Sequence, residues 1–511
     1  MRHDPCPLLS GIYRKRLYRY AYRRQPRDSA GAYHLQRQMA VDCTLISRCR
    51  TQISHASPVG RDGRDHGAKD TRTMCVPISA RCLEVFPSIK WTWRFRVDKG
   101  SGIAKWGPLM SSQAPAFSGH DEIVELYNKA QHVLEQLRQR GIDQETGEKQ
   151  APRFAISKAA ELVGRTASAI REAEKDGRLP SPERTASNRR VNYTVSDLNH
   201  MRQVFGTQPW RDPADPLAVL AVQNFKGGVG KSTIAVHLAQ YLAIRGYRVL
   251  LMDCDSQAST TMMFGLVPDR DVDENSTLYG YLHDEGMIGL RPLLRKTHFD
   301  NLWLLPANLK LYNAEYEIAA FIAQHGRDGF AFINKIGEGI ETVADDFDVV
   351  ILDPPPALGM ISLAVLSAAN AMVIPMPPSM IDFSSTASFL SMLATTMQQL
   401  ASLRGRSPIY NFVRLVASKA DDNKSMHREI IKMAQRLFGS AMLRASLKDS
   451  AEIDNASSRL STVYELDRPI TSHEVHSRCV GHLNAVNLEI ETEIRRTWPS
   501  HHAALMKGGL L

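Results

Sequence analysis

The sequence predicts an α/β protein in which a parallel sheet flanked by helices follows a small α-helical domain. Three observations predict it. Continuous apolar runs, "LAVLAV" from Leu217, "RVLLMD" from Arg248 and "FDVVILD" from Phe347, have the composition of strands buried on both faces, as in parallel sheets. A glycine-rich loop after the first run opens a helix from Lys231 to Arg245, which Gly246 ends. The second and third runs finish on carboxylates, Asp253 and Asp353, at the strand ends where α/β sheets bind ligands. "AMVIP" from Ala371 and "FVRLVAS" from Phe412 predict further parallel strands.

Composition limits what else the chain can be. Hydrophobic residues make up 43%, ordinary for a globular protein, over a length that holds two or three domains. No apolar run reaches the roughly 18 residues of a membrane span. The longest candidate, from Ile361, is broken by Asn370 and closed by prolines. No membrane partner and a cytoplasmic location are therefore expected.

The formal charge of +9 is unevenly spread. Residues 1–109 carry 21 Lys and Arg against 8 Asp and Glu, whereas the remainder carries 42 against 46 and is slightly acidic. Residues 1–117 read as a basic leader with no sustained helical or strand period, either disordered or an over-extended reading of the start. Its functional reading is a DNA-contacting arm. Five of the seven cysteines lie there, in spacings that match neither a zinc pair nor a disulfide framework.

Within residues 118–150, Ser118 and Asp121 form a possible capping box. Ile123, Tyr127, Ala130, Leu134 and Leu137 then recur at steps of four and three until Gly141, one amphipathic helix. Such a helix packs on its own domain or pairs with a second copy as a dimerisation helix. Residues 151–206 have the proportions of a helix-turn-helix: Ser157 to Val163, a turn at Gly164, then Thr166 to Glu174. Arg165, Thr166, Ser168 and Arg171 are of the types that reach base edges and phosphates, while Leu162 and Ile170 would pack inside. The following loop resembles the wing of a MerR-like winged helix, with Arg184, Arg189 and Arg190 available to backbone phosphates. Residues 207–216, with three prolines, read as a linker to an α/β domain spanning 217–511.

The glycine loop, "NFKGGVGKST" from Asn224, carries the chemistry. Gly227, Gly228 and Gly230 let backbone N–H groups curl round a phosphate, with Val229 between them. Lys231 reaches the outer phosphates, Ser232 is a hard oxygen ligand suited to Mg²⁺, and Thr233 continues the helix. Set against the usual G-x-x-x-x-G-K-[ST] pattern, the loop has Phe225 where glycine stands and a second cation, Lys226, directly after it.

K-G-G-V-G-K-[ST] resembles the deviant P-loop NTPases, the ParA-type ATPases among them. The resemblance implies that ATP and Mg²⁺ are bound, and that Lys226 reaches across a homodimer to the other subunit's phosphates, the loop turning on Gly227 and Gly228. By the same resemblance, Asp253, Asp255 and Gln257 stand in the family's D-x-D-x-Q. Asp255 is then the residue that orients the attacking water, and Asp353 matches the Walker B carboxylate on Mg²⁺. With the preceding helix and winged helix-turn-helix, the chain is most similar to the larger ParA proteins of the RepA kind, encoded in repABC plasmid cassettes.

That resemblance implies a plasmid-partition ATPase on nucleoid DNA, stimulated by a ParB- or RepB-type partner and repressing its own operon. Arg428, Lys432, Arg436 and Arg444, in the expected helical region after the last strand, are the candidates for non-specific DNA contact. The alternative is a nucleotide-sensing repressor without a transport role.

Overall fold

The computed structural model describes residues 93–97, 104–108, 120–141, 149–283, 289–326, 328–404, 408–466 and 468–510. Most of the basic leader therefore lies outside the described residues. Residues 1–117 and 118–511 form separate units. In the first, β1 (Trp93–Val97) pairs antiparallel with β2 (Ala104–Pro108), Phe95 opposite Trp106. The sequence reading expected no strand period here. Trp93, Phe95 and Val97 do alternate with Arg94 and Arg96, but five residues are too few for that period to stand out.

The second unit opens with α1 (His120–Gly141). Its Ile123 and Tyr127 are 59% and 55% exposed while Leu134 and Leu137 are half-buried, so the first half of the apolar stripe is not covered by its own chain. An ion pair between Glu135 and Arg270 ties the helix to the sheet domain. Next, α2 (Ile156–Val163), α3 (Ala167–Lys175) and α4 (Val195–Phe205) enclose a small core that includes Ala159, Val163, Ile170, Leu198 and Met201. Their ends are set by local chemistry. Thr166 accepts from the Ala169 amide, and Thr194 with Asp197 makes a reciprocal capping box. Between α3 and α4 the chain forms a short hairpin with Arg184 opposite Arg190.

The sheet holds β3 (Ala218–Val222), β4 (Val249–Asp253), β5 (Arg295–Lys296), β6 (Leu302–Leu305), β7 (Val349–Asp353), β8 (Ala371–Met376), β9 (Phe412–Ala420) and β10 (Met442–Lys448). Their order is β10-β9-β8-β3-β7-β4-β6-β5, all neighbours parallel except β5 with β6. The mostly parallel sheet flanked by helices is the α/β core expected. The sequence reading missed β5, β6 and β10, which are short or carry only a broken apolar pattern.

Side-chain alternation assigns the two faces. Leu220 and Val222 of β3 pack with α5 (Lys231–Arg245), whereas Val219 and Ala221 face the opposite layer. That opposite layer includes α6 (Leu311–His325) and α7 (Met360–Ala368). Over β8 and β9, α8 (Met380–Arg404) and α9 (Ser425–Phe438) contribute Phe389, Leu393 and Ala434 to a third cluster. A long helix near the C-terminus, α10 (His473–Arg496), adds Leu483, Val486 and Ile490 to the α5 side.

One buried cation joins the helical layer to the sheet. Arg202 of α4, 1% exposed, donates to Asn199 Oδ1 (2.8 Å), to the Leu162 carbonyl at the end of α2 (3.2 Å) and to the Ile244 carbonyl at the end of α5 (2.6 Å). Burial lowers its pKa to about 10, so it stays charged, and the carbonyl ends of two helices supply compensating partial negative charge. Among the described residues, no helix is long and apolar enough to cross a membrane.

Candidate functional site

The glycine loop is pinned at its entry. Gln223 N–H donates to the Val373 carbonyl (2.9 Å), Asn224 Nδ2 donates to the Pro375 carbonyl (2.8 Å), and Asn224 Oδ1 accepts from Lys226 N–H (3.0 Å). The chain then reverses at Gly228 (φ 73°) and Gly230 (φ 95°). This corrects the expected turn at Gly227 and Gly228: Gly227 is not left-handed, and the second reversal falls where the loop enters α5. A β-carbon on Gly227 or Gly228 would meet nothing within 4 Å, so the loop faces open space. Ser418 Oγ, at the end of β9, donates to the Val229 carbonyl from behind (2.7 Å).

Phe225 is explained by packing. Its ring lies 5.7 Å from that of Phe389 and belongs to the cluster beneath α8. The position that carries glycine in the usual motif is here a core position.

Gly230 offers α5 no side-chain cap, so its first amides, on Lys231, Ser232 and Thr233, keep their capacity to bind an anion, and the helix dipole adds to it. Lys231 is buried at 8% exposure. Burial lowers its pKa, while Asp353 and Asp255 nearby favour the charged form.

Asp253 and Asp353 are register partners on β4 and β7. Burial, first of all, holds both carboxyls above the ordinary range, and Asp353 raises Asp253 further. Their partners differ. Asp253 Oδ2 accepts from the Thr261 amide (2.8 Å) and hydroxyl (2.7 Å), while its Oδ1 accepts from Asp255 N–H (3.2 Å). Asp353 Oδ2 accepts from Thr260 Oγ1 (2.8 Å), but Oδ1 is buried with no hydrogen-bond partner among the described residues. Asp255 Oδ1 accepts from Gln257 N–H (2.9 Å), which fixes the buried carboxylate just after β4, and Gln257 itself is exposed.

These residues fit a nucleotide and its cation. The open loop, uncapped helix start and buried Lys231 suit phosphate oxygens. The orphaned Asp353 Oδ1 and the Ser232 hydroxyl could hold a hard cation. No group of three or more His, Cys, Asp or Glu converges elsewhere to bind a metal among the described residues. A site of few protein oxygens, completed by phosphates and water, is the kind Mg²⁺ takes.

Lys226 is turned onto its own chain. Its Nζ lies 2.6 Å from Oδ1 of Asp382, in the first turn of α8, and Ser379 Oγ donates to the other carboxylate oxygen (2.5 Å). Asp382 was not a candidate from sequence, although it stands in the stretch after β8. Thr260, Thr261 and Ser418 were missed as well, because isolated hydroxyl residues carry no motif.

The candidates for DNA contact lie on two surfaces. Arg165, Thr166, Ser168 and Arg171 are exposed on and before α3. Arg165 also donates to the Phe205 carbonyl (2.9 Å) and lies over that ring. Arg189 is exposed, but Arg190 is half-buried, bonded to Glu174 and Tyr193 Oη and stacked on the Tyr193 ring. Its charge holds the hairpin to α3, a correction to its placement as a free phosphate contact. Arg428, Lys432 and Arg436 recur every four residues along the exposed face of α9, opposite the buried Ile430 and Ala434. Arg444 is exposed but lies on β10, not on a helix as expected, since the alternation in "MLRASLK" makes an edge strand.

Residues 217–416 match a family model described as an AAA domain. The chain is 31% identical over 354 residues to the "Putative replication protein A" of Rhizobium rhizogenes, covering 68% of this chain and 87% of that protein. It is 33% identical over 321 residues to SopA of Escherichia coli K12, covering 61% of this chain and 80% of SopA. A solved structure titled "Partition Protein" shares the fold, with a TM-score of 0.52 at 19% identity over 73% of this chain and 98% of that one. The chain belongs to the ParA-type ATPases, the group that includes RepA and SopA.

Proposed function

We propose that this protein is an ATP-dependent plasmid-partition ATPase that uses ATP and Mg²⁺ to form a homodimer on DNA and is released by hydrolysis. The observation that carries the reading is the pairing of two lysines on one loop. Lys231 is buried among Asp353 and Asp255, and Lys226, five residues earlier on the same loop, is partly exposed and held by Asp382. Gly227, Gly228, Val229, Gly230, Lys231, Ser232 and Thr233 would hold the phosphates, Ser232 and Asp353 would hold Mg²⁺, and Asp255 would orient the attacking water. Mg²⁺, when bound, supplies charge neutralisation at the phosphates. A ParB- or RepB-type centromere-binding partner would stimulate turnover. The protein would act in the bacterial cytoplasm, on the nucleoid.

In a homodimer Lys226 would exchange Asp382 for the other subunit's phosphates. The pair it leaves is partly exposed, 36% for Lys226 and 15% for Asp382, so parting it costs little. Sedimentation with ADP and with ATP tests this. ATP is expected to raise the mass of the wild type and not that of Lys226→Ala. Asp382→Ala should lower the half-dimerisation concentration by about threefold. An ATP dimer undiminished in Lys226→Ala would exclude the trans role.

Two DNA activities are proposed on separate surfaces. The helical layer, read as a MerR-like winged helix-turn-helix, would bind the operator, and the α9 face with Arg444 would bind random duplex. Arg165→Ala with Arg171→Ala should weaken operator binding by about 1–3 kcal/mol and leave ATP-dependent random-duplex binding intact. Arg428→Ala with Arg436→Ala should do the reverse and reduce the salt dependence by a slope of about two. Gel-shift titrations at two salt concentrations read both, and loss of both activities from either folded pair would mean a single composite surface.

A further inference from the structure

Segment 354–359 joins Asp353, at the end of β7, to α7. The helix has no cap of its own, because its N-cap residue is Gly359. Glu315 of α6 supplies one from outside. Met360 N–H donates to Glu315 Oε2 (2.5 Å) and Ile361 N–H donates to Oε1 (3.2 Å), so both carboxylate oxygens bind the start of the helix. A negative charge there is favoured by the helix dipole and by the otherwise orphaned amides. A β-carbon on Gly359 would overlap this carboxylate, so Gly359→Ala would push the Glu315 side chain off the start of the helix. Ser362 Oγ donates back to the Ala357 carbonyl (2.5 Å) and holds the segment a second time.

The helix that carries Glu315 is itself anchored to the carboxylate site. It is held to the core by Leu311, Ala314 and Ile318. Just ahead of it, Ala307 N–H donates to Thr261 Oγ1 (2.9 Å), whose hydroxyl donates to Asp253 Oδ2 (2.7 Å). A continuous path therefore runs from Asp253 through Thr261 and α6 to Glu315, and back along 354–359 to Asp353.

The geometry points to Glu315 as a positioning residue for nucleotide hydrolysis, acting through segment 354–359 and not by contact with phosphate. This rests on the ATPase reading above. Loss of the external cap frees the segment that follows Asp353 and leaves the glycine loop and Lys231 in place. Turnover should therefore suffer where nucleotide affinity does not.

The test compares the full-length wild type with Glu315→Ala, Glu315→Gln and Gly359→Ala. Residues 354–356 are prolines without amide hydrogens, so hydrogen exchange is read at 357–361. In nucleotide-free protein it should speed up there in Glu315→Ala and Gly359→Ala, with β7 unchanged and the thermal midpoint lowered by no more than the few degrees a lost cap costs. DNA-stimulated kcat should fall about tenfold in Glu315→Ala, while KM and the affinity for a fluorescent ADP stay within about twofold. Glu315→Gln, which keeps an acceptor oxygen, should recover most of the loss. Wild-type exchange across 357–361 in both cap variants, or an unchanged kcat in Glu315→Ala, would overturn the proposal. So would a fall in kcat matched by equal losses of nucleotide affinity and thermal midpoint. A wild type that turns over no ATP would instead defeat the ATPase reading, and the exchange data would still decide whether Glu315 holds the segment.

Discussion

Lys231→Ala is expected to abolish nucleotide binding, with affinity for a fluorescent ATP analogue reduced by about 100-fold or more. The loss exceeds that of one phosphate contact. Lys231 is the buried cation beside Asp353 and Asp255, so the substitution also leaves these carboxylates uncompensated where the phosphates would lie. Equilibrium titration of the folded variant checks it. Affinity within about threefold of wild type would place the nucleotide elsewhere.

Asp255→Ala is expected to keep ATP binding and the ATP dimer while steady-state turnover falls by about 100-fold or more. The division follows from geometry. Asp255 sits just after β4 on a turn closed by Gln257 N–H, whereas the glycine loop takes its support from Asn224, Ser418 and the packing of Phe225. Phosphate release measured with DNA and partner present decides it, and wild-type turnover would move the water-orienting role to another residue.

Much of the sheet was legible because its strands are buried on both faces and so read as unbroken apolar runs. β3, β4, β7 and β8 were found this way, and α5 was bounded by the glycine loop and Gly246. β10 escaped because it mixes Arg444, Ser446 and Lys448 with its apolar residues, and β6 because four residues carry little pattern. The candidate nucleotide site is legible where one contiguous motif carries it. It was not legible where distant segments converge: Asp382 on Lys226, Ser418 on Val229 and Glu315 on Met360 are separated by 156, 189 and 45 residues. Such pairs leave no local spacing to read. Arg190 shows the opposite failure, since its residue type suggested DNA while Glu174 and Tyr193 had already engaged its charge.

The central claim is that nucleotide at the Lys231 and Asp353 site is hydrolysed under the control of DNA and a centromere-binding partner. Steady-state phosphate release by the wild-type protein tests it most directly, with ATP and Mg²⁺ alone, then with duplex DNA, then with DNA and the partner. A slow basal rate is expected that rises at each addition and vanishes with chelator or in Lys231→Ala. A rate that stays flat across all three conditions, with ATP bound throughout, would contradict it and leave a nucleotide-sensing repressor in its place.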